Sequence, residues 1–373
     1  MRASQNPPSP DRTMPHLFEP LALNSVTLPN RIVVSPMCQY SAVDGLANDW
    51  HMVHLGRYAA AGVGLIIAEA THVSAIGRIT PGCLGLYNDA HEQALTRIVR
   101  FMKETGPAAT GIQLAHAGRK ASMSPPWKGV KPAEKSEGWV SVGPSAIAFD
   151  EGWQIPKALD EAGMDQIVEE FATAALRSAR AGFDVCEVHS AHGYLMHEFL
   201  SPISNKRNDN YGGSRENRMR FPLRIVDAVR AVWPKDRALL VRLSATDYMD
   251  AEGWTLEDSI AYAKELKARG VDMIDVSGGG SSPKQKLELK PGYQVPFAEA
   301  IKRHVGIPTI AVGLITEAQQ ADAIIREGKA DAIAIARALL NDPFWAWRAA
   351  DALGHEVAVP NQYLRGRKLA VAR

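Results

Sequence analysis

The chain is expected to be an α/β protein folded as a single (β/α)8 TIM barrel, with a long insertion after the third strand and an extension at its C-terminus. Three observations lead there. First, a helix–Gly–strand junction recurs four times: Ala60-Ala61-Gly62 before Leu65–Ala68, Arg180-Ala181-Gly182 before Asp184–Val188, Ala268-Arg269-Gly270 before Met273–Val276, and Arg326-Glu327-Gly328 before Ala332–Ile335. Glycine just past the last helical turn is the common left-handed stop. Second, the runs after these glycines are short, β-branched and almost continuously apolar, as strands buried on both faces of a parallel sheet must be. Third, Arg31–Ser35, Ala109–Leu114, Ala238–Leu243 and Pro308–Val312 read the same way and raise the count to eight. An open doubly wound sheet is the competing arrangement.

Helices fit between these runs. Met164, Ile167, Val168, Phe171, Ala174, Ala175 and Ala179 recur at helical spacing. Thr255-Leu-Glu-Asp258 and Thr316-Glu-Ala-Gln319 resemble N-terminal capping signals, the second being nearer the S/T-x-x-E/Q form. Residues 17–352 are assigned to the barrel. Within it, residues 117–156 are rich in Pro, Lys, Ser and Gly, hold Trp127, Trp139 and Trp153, and follow strand three on the face where barrels build their sites. A lid and a self-packed decoration are both consistent with that composition. Residues 1–16 are polar, Pro-rich and without an apolar stretch, so they read as a tail rather than a signal peptide. Residues 353–373 form the C-terminal extension.

Composition narrows the function. Of 373 residues, 46% are hydrophobic, and 42 Lys and Arg against 41 Asp and Glu leave a net charge of +1. Total charge therefore gives no basis for binding nucleic acid or a membrane surface. Cys38, Cys83 and Cys186 make neither a disulfide framework nor a zinc cluster and suit a reducing, cytoplasmic compartment.

In a barrel the chemistry lies at the C-terminal ends of the strands. Those ends hold Cys38, Gln39 and Tyr40, Gln113, His116, His189, His192, Tyr194, Arg242, Gly313 and Arg337: many donors and few carboxylates. His189-x-x-His192 has the spacing of two metal ligands, but no third ligand or general base completes a set. A satisfied structural pair is the plainer alternative; two donors gripping one oxygen, with Tyr194 nearby as proton donor, fit better. His51-x-x-His54 falls in an expected helix and reads as structural. Ser277–Gly280 suits a tight turn or a phosphate nest. Gly62-Val-Gly64 lacks the third glycine of a dinucleotide fingerprint. Gly313 and Arg337 follow strands seven and eight, where barrels commonly bind phosphate; a carboxylate partner is the alternative for Arg337.

Leu28-Pro-Asn-Arg31, Ser35-Pro-Met-Cys-Gln-Tyr40, Gln113-Leu-Ala-His-Ala-Gly-Arg119, His189-Ser-Ala-His-Gly-Tyr-Leu195 and the long stretch from Ser201 to Arg218 resemble the Old Yellow Enzyme family of FMN-dependent ene-reductases. The likeness runs from about Leu17 to Arg365 and is greatest to the Cys-containing, thermophilic-like subgroup of bacterial NADPH dehydrogenases and xenobiotic reductases. It implies FMN held by Ser35, Pro36, Met37, Cys38, Ala70, Gln113, Arg242, Gly313, Ala336 and Arg337. In that assignment Arg242 faces the N1/C2 edge of the ring, Cys38 tunes its potential, and Gly313, Ala336 and Arg337 take the phosphate. It also implies a ping-pong reaction in which NADPH, with NADH as an alternative, reduces the flavin. The flavin then passes hydride from N5 to Cβ of an enone, maleimide or nitroalkene. His189 and His192 hold the carbonyl oxygen, Tyr194 gives the proton to Cα, and Tyr40 contacts substrate. Arg365 would enter the site of a neighbouring subunit in a homodimer or homotetramer. One departure stands out: Arg367 occupies the place of an expected aromatic residue. Two readings from other classes are a metal-dependent barrel hydrolase using His189 and His192, and a non-catalytic flavin redox sensor using Cys38.

Overall fold

Every one of the eight apolar runs becomes a strand, and together they close into one parallel barrel in the computed structural model, which describes residues 16–249 and 252–371, with side chains to Arg367. The tail expected at residues 1–16 lies almost wholly outside the described residues. In chain order the barrel strands are β1 (Ile32–Val34), β2 (Leu65–His72), β3 (Ala109–Ala115), β4 (Val185–Ser190), β5 (Ala238–Ser244), β6 (Met273–Ser277), β7 (Thr309–Ala311) and β8 (Ala332–Ile335). Each pairs with the next, and β8 pairs with β1 through Ile333↔Ile32 and Ile335↔Val34. The competing open sheet is thereby excluded.

Alternation along the strands explains their continuous apolar character. Val33, Leu65 and Ile67 belong to the cluster inside the barrel. Ile32, Val34, Ile66 and Ala68 pack outward against helices. Both faces are buried, so the runs are mostly apolar, and Gln113, Glu187, His189, Arg242 and Asp275 are among the buried polar exceptions. The helical layer comprises α1 (Asp49–Ala59), α2 (Asp89–Thr105), α3 (Glu161–Ala181), α4 (Arg215–Val232), α5 (Leu256–Ala268), α6 (Val295–Val305), α7 (Ala318–Arg326) and α8 (Trp345–Leu353). Gly62, Gly182, Gly270 and Gly328 all take positive φ, as the junction pattern predicts. A short hairpin, Leu21–Leu23 with Val26–Leu28, adds Leu23 and Leu28 to the inner cluster and closes the N-terminal end.

The capping signals divide. Thr255 caps α5 in a reciprocal box with Asp258. Thr316 does not cap α7; the flanking residue is Glu317, with no side-chain cap bond. Thr316 instead lines a cavity, and its carbonyl accepts from the Trp345 indole at 2.7 Å. That hold keeps it out of capping geometry despite its better sequence match.

The insertion folds over the rim. Trp139 donates its indole N–H to Ile76 O at 2.8 Å, Trp127 meets Tyr40 edge-on at 5.7 Å, and Phe149 packs on Trp153 at 4.7 Å. Trp139 and Trp153 share a satellite apolar cluster with Cys38, Tyr40 and Tyr194. Arg365 is exposed on a final helix, Leu364–Val371. Arg367 pairs with Asp351 of α8 and approaches Trp347 O, so its charge is balanced within its own chain.

Candidate functional site

The loop after β1 carries Ser35, Pro36, Met37, Cys38 and Tyr40 over the mouth of the barrel. Ser35 is buried and its amide donates to Ile335 O at 3.1 Å, which ties the start of the loop to β8. A register shift in β2 between Ala68 and Ala70 marks a bulge at Glu69. The Glu69 carboxylate accepts from the Gln39 amide at 2.9 Å and lies 3.4 Å from His51 Nε2, so the residues flanking Cys38 are held from behind. His51 also belongs to the capping box of α1, in keeping with its structural reading. Burial, reinforced by Glu69, pushes the Cys38 thiol well above its ordinary range. It is therefore a neutral thiol. Ala70 is buried beside this loop.

From β3, Gln113 points inward and donates to Glu187 of β4 at 2.7 Å. Arg242 of β5 places Nε 3.2 Å from Asp275 of β6. Burial, and then Asp275, pushes Glu187 up; burial raises Asp275 as well. Two carboxyls this close in a dry interior do not both ionise, so the pair holds a proton next to one guanidinium.

His189, His192 and Tyr194 come together at the end of β4. The His189 ring centroid lies 5.2 Å from His192 and 5.0 Å from Tyr194, edge-on in both cases. The Ala191 amide donates to His189 Nδ1 at 3.1 Å. His192 Nε2 is 2.7 Å from Ser277 Oγ. Burial, and then the Arg242 charge, drives both imidazoles well below their ordinary pKa, so they are neutral. Burial, with Cys38 and Tyr40 as neighbours, raises the Tyr194 phenol well above its own. Among the described residues no three His, Cys, Asp or Glu side chains form a group able to hold a metal ion.

A cavity opens beside this cluster, lined by Ser35, Arg242 and Ser277 at one end and by Gly313, Ala336 and Arg337 at the other. Its volume is about 180 Å³, and it is open to solvent on one side. Gly313 has φ +111, and a β-carbon there would come within 3.0 Å of the Gln294 amide. Only glycine leaves that end of the cavity open. Arg337 lies exposed at its lip and, among the described residues, pairs with no carboxylate. These features fit a ring-bearing monophosphate: polar groups at the inner end, a cation and an open backbone at the outer end.

The structure thus gathers Ser35–Tyr40, Ala70, Gln113, His189, His192, Tyr194 and Arg242 at one mouth and Gly313, Ala336 and Arg337 beside it. Arg365 is the exception, exposed on the last helix. Several residues escaped the sequence reading. Lys120 donates to His192 O at 2.8 Å and Gly280 O at 2.9 Å, lies 5.1 Å above the Tyr194 ring, and is lowered to about 8 by burial. Its position directly after the Gln113–Arg119 motif was the available signal. Ser277 was noted only as part of a turn, and nothing local distinguishes Asp275 from any inward strand residue.

Comparison with known proteins agrees with this arrangement. The model of the NADH:flavin oxidoreductase / NADH oxidase family matches residues 16–356. An NADPH dehydrogenase of Geobacillus sp. (strain WCH70) is 48% identical over 352 residues, 94% of this chain and 98% of that protein. The structure of morphinone reductase in complex with tetrahydroNAD is similar with a TM-score of 0.74 and 30% identity, covering 93% of each chain. An old yellow enzyme homologue from Zymomonas mobilis gives a TM-score of 0.74 at 25% identity, covering 92% of this chain and 94% of that one.

Proposed function

Because the chain belongs to the NADH:flavin oxidoreductase / NADH oxidase family and is a flavin-dependent NAD(P)H oxidoreductase, we propose that it reduces activated C=C bonds of enones, maleimides and nitroalkenes in two alternating half-reactions. Bound FMN would supply the relay of hydride from nicotinamide to the alkene. The observation that carries the reading is the pair of neutral imidazoles whose ring protons are set by their neighbours. Ala191 N–H occupies Nδ1 of His189, so the ring proton is on Nε2. In the same reading Ser277, 2.7 Å from Nε2 of His192, would donate to it and leave that proton on Nδ1. Each ring therefore has one N–H to offer a carbonyl oxygen. Negative charge grows on that oxygen as Cβ is reduced, and fixed donors stabilise the charged state more than the neutral substrate.

Tyr194 adjoins His189 and stays protonated, so its O–H can deliver the proton to Cα. Arg242 would face the electron-rich edge of the ring and Arg337 the phosphate, with Gly313 and Ala336 lining that end. Cys38 would touch the ring as a neutral thiol, and Tyr40, with Trp127 against it, would line the substrate side. The 117–156 segment would act as the lid, since Trp139 and Trp153 pack in the cluster that includes Cys38 and Tyr194. Arg365, exposed on its own protomer, would reach a neighbour's site in a homodimer or homotetramer.

Anaerobic mixing with NADPH tests this reading. The bound flavin should bleach, and enones, maleimides or nitroalkenes should restore its colour. Failure of all three classes to reoxidise an enzyme that NADPH has reduced would refute the substrate assignment.

A further inference from the structure

We propose that His197 and Asp247, buried beneath the donor turn, are a positioning dyad that holds His192–Tyr194 in place by keeping the ring proton of His197 on Nε2. The proposal rests on the function assigned above, because it concerns how the oxygen grip and the proton donor are aimed.

The turn is one the backbone does not adopt unaided. His192 has φ +59 and Gly193 φ +69, and a β-carbon at 193 would sit 2.1 Å from Gly280 O. Non-glycine residues persist in the left-handed region only where their surroundings over-determine them. Three amides are pinned here. His192 N donates to Ser244 Oγ at 2.9 Å and Tyr194 N to Ala191 O at 3.1 Å. Between them, Gly193 N donates to His197 Nδ1 at 2.9 Å. This amide joins the residue that grips oxygen to the residue that gives the proton.

An imidazole nitrogen accepts only when it carries no hydrogen, so the proton of the neutral ring belongs on Nε2. Nε2 lies 3.0 Å from Asp247 Oδ1, a close charge contact off the line of a hydrogen bond that is the nearest polar partner of that oxygen, and both side chains are fully buried. The far oxygen of Asp247 accepts from Ser201 Oγ at 2.6 Å and from the Trp254 amide at 2.7 Å. Burial opposes ionisation of Asp247, but His197, Ser201 and the Trp254 amide outweigh it and hold the carboxyl down to about 2. Ser281 Oγ is the other polar neighbour of the ring, 3.2 Å from Nδ1 and 3.4 Å from Nε2.

This wiring makes one near-isosteric change informative. A backbone N–H can only donate, so Trp254 requires an acceptor at the far atom of residue 247. In Asp247→Asn the amide oxygen must take that place, which turns the NH2 toward His197 Nε2. The ring proton then moves to Nδ1 and opposes the Gly193 N–H. Charge and tautomer are lost with almost no change of shape.

Two measurements on the holoenzyme test the dyad. Nitrogen-15 NMR of the His ring nitrogens, with His197 assigned by its loss in His197→Asn, should show Nε2 protonated and Nδ1 bare. Asp247→Asn should retain full FMN and an unchanged flavin potential. Its 4-hydroxybenzaldehyde dissociation constant should rise, and its rate of reoxidation by enone should fall, each by roughly 10- to 100-fold, the scale of a small misplacement in an active site. Combining Asp247→Asn with His197→Asn removes the buried charge and offers an amide oxygen to Gly193, so phenol affinity should partly return; a purely structural pair would not be rescued this way. A proton on Nδ1 in the wild type, wild-type phenol affinity in FMN-replete Asp247→Asn, or no rescue in an FMN-replete double variant would overturn the proposal. If Asp247→Asn does not fold, the wild-type spectrum decides. A wild-type enzyme that binds no phenol would instead overturn the functional reading, and the tautomer would still judge the dyad.

Discussion

Replacing His192 separates a grip on developing charge from simple substrate binding. His192→Ala removes one of two neutral N–H donors and leaves His189, whose proton is set by Ala191 rather than by His192. A donor aimed at an oxyanion contributes about 2.7–4 kcal/mol in the transition state. The same hydrogen bond to a neutral carbonyl contributes about 0.5–1.5 kcal/mol. The difference, about 2 kcal/mol, belongs to the chemical step and corresponds to roughly 30-fold in rate. Enone affinity should therefore fall much less than the rate of reoxidation. A bound phenolate carries full charge, and a hydrogen bond to a charged group contributes about 1.5–3 kcal/mol, or roughly 10- to 150-fold in affinity. His192→Asn offers an amide N–H close to the place of Nδ1 and should recover part of both losses. The assay is anaerobic stopped-flow with an enone, together with titration of 4-hydroxybenzaldehyde and its long-wavelength charge-transfer band. NADPH should still reduce the flavin of each variant. Reoxidation of His192→Ala at the wild-type rate, with the band intact, would refute the oxygen grip.

Other consequences follow from the same geometry. Cys38 is a neutral thiol, so Cys38→Ala should shift the flavin potential and change the two half-reactions unequally while turnover remains measurable; complete loss of turnover with FMN bound would assign it covalent chemistry. Stability should peak near pH 6.5. Burial lowers His72 to about 4 and His116 to about 3, so below about 6.5 the unfolded chain gains protons that the fold cannot, costing up to about 1.4 kcal/mol per pH unit for each group. In the other direction, burial raises Glu198 to about 8, so its stabilising proton is lost as pH rises toward that value. Melting of the holoenzyme from acid to alkaline pH should trace a maximum, and a monotonic rise to pH 9 would contradict the assignment. Arg337→Ala should weaken FMN binding without moving the phenol band of the loaded enzyme, as read by flavin release on dilution.

How much of this was legible depended on whether the cause was local. The eight strands were, because burial on both faces leaves continuous apolar runs, and the junction glycines were, because the left-handed stop is a property of a single residue. The boundaries of β1 and β7 were read too long, since the ladder covers only Ile32–Val34 and Thr309–Ala311 while Ser35 and Val312, just past them, line the cavity. The closing hairpin was missed: its three-residue strands are too short to show a period. The capping signal at Thr255 held because nothing else competes for that residue, whereas Thr316 is held by Trp345, 29 residues away. His189, His192 and Tyr194 were legible from their spacing and family motif. Their supports were not. Ser277, Lys120 and Asp247 lie 85, 72 and 50 residues in sequence from the groups they hold, and only closure of the barrel brings them there.

The central claim concerns where hydride and proton go, and an isotope label reads this directly. NADPH carrying deuterium at both C4 positions, consumed in ordinary water with a cyclic enone, should place one deuterium on Cβ of the saturated ketone and none on Cα, which takes its hydrogen from Tyr194. Deuterium on the carbonyl carbon of an allylic alcohol, or an unlabelled organic product, would contradict the account.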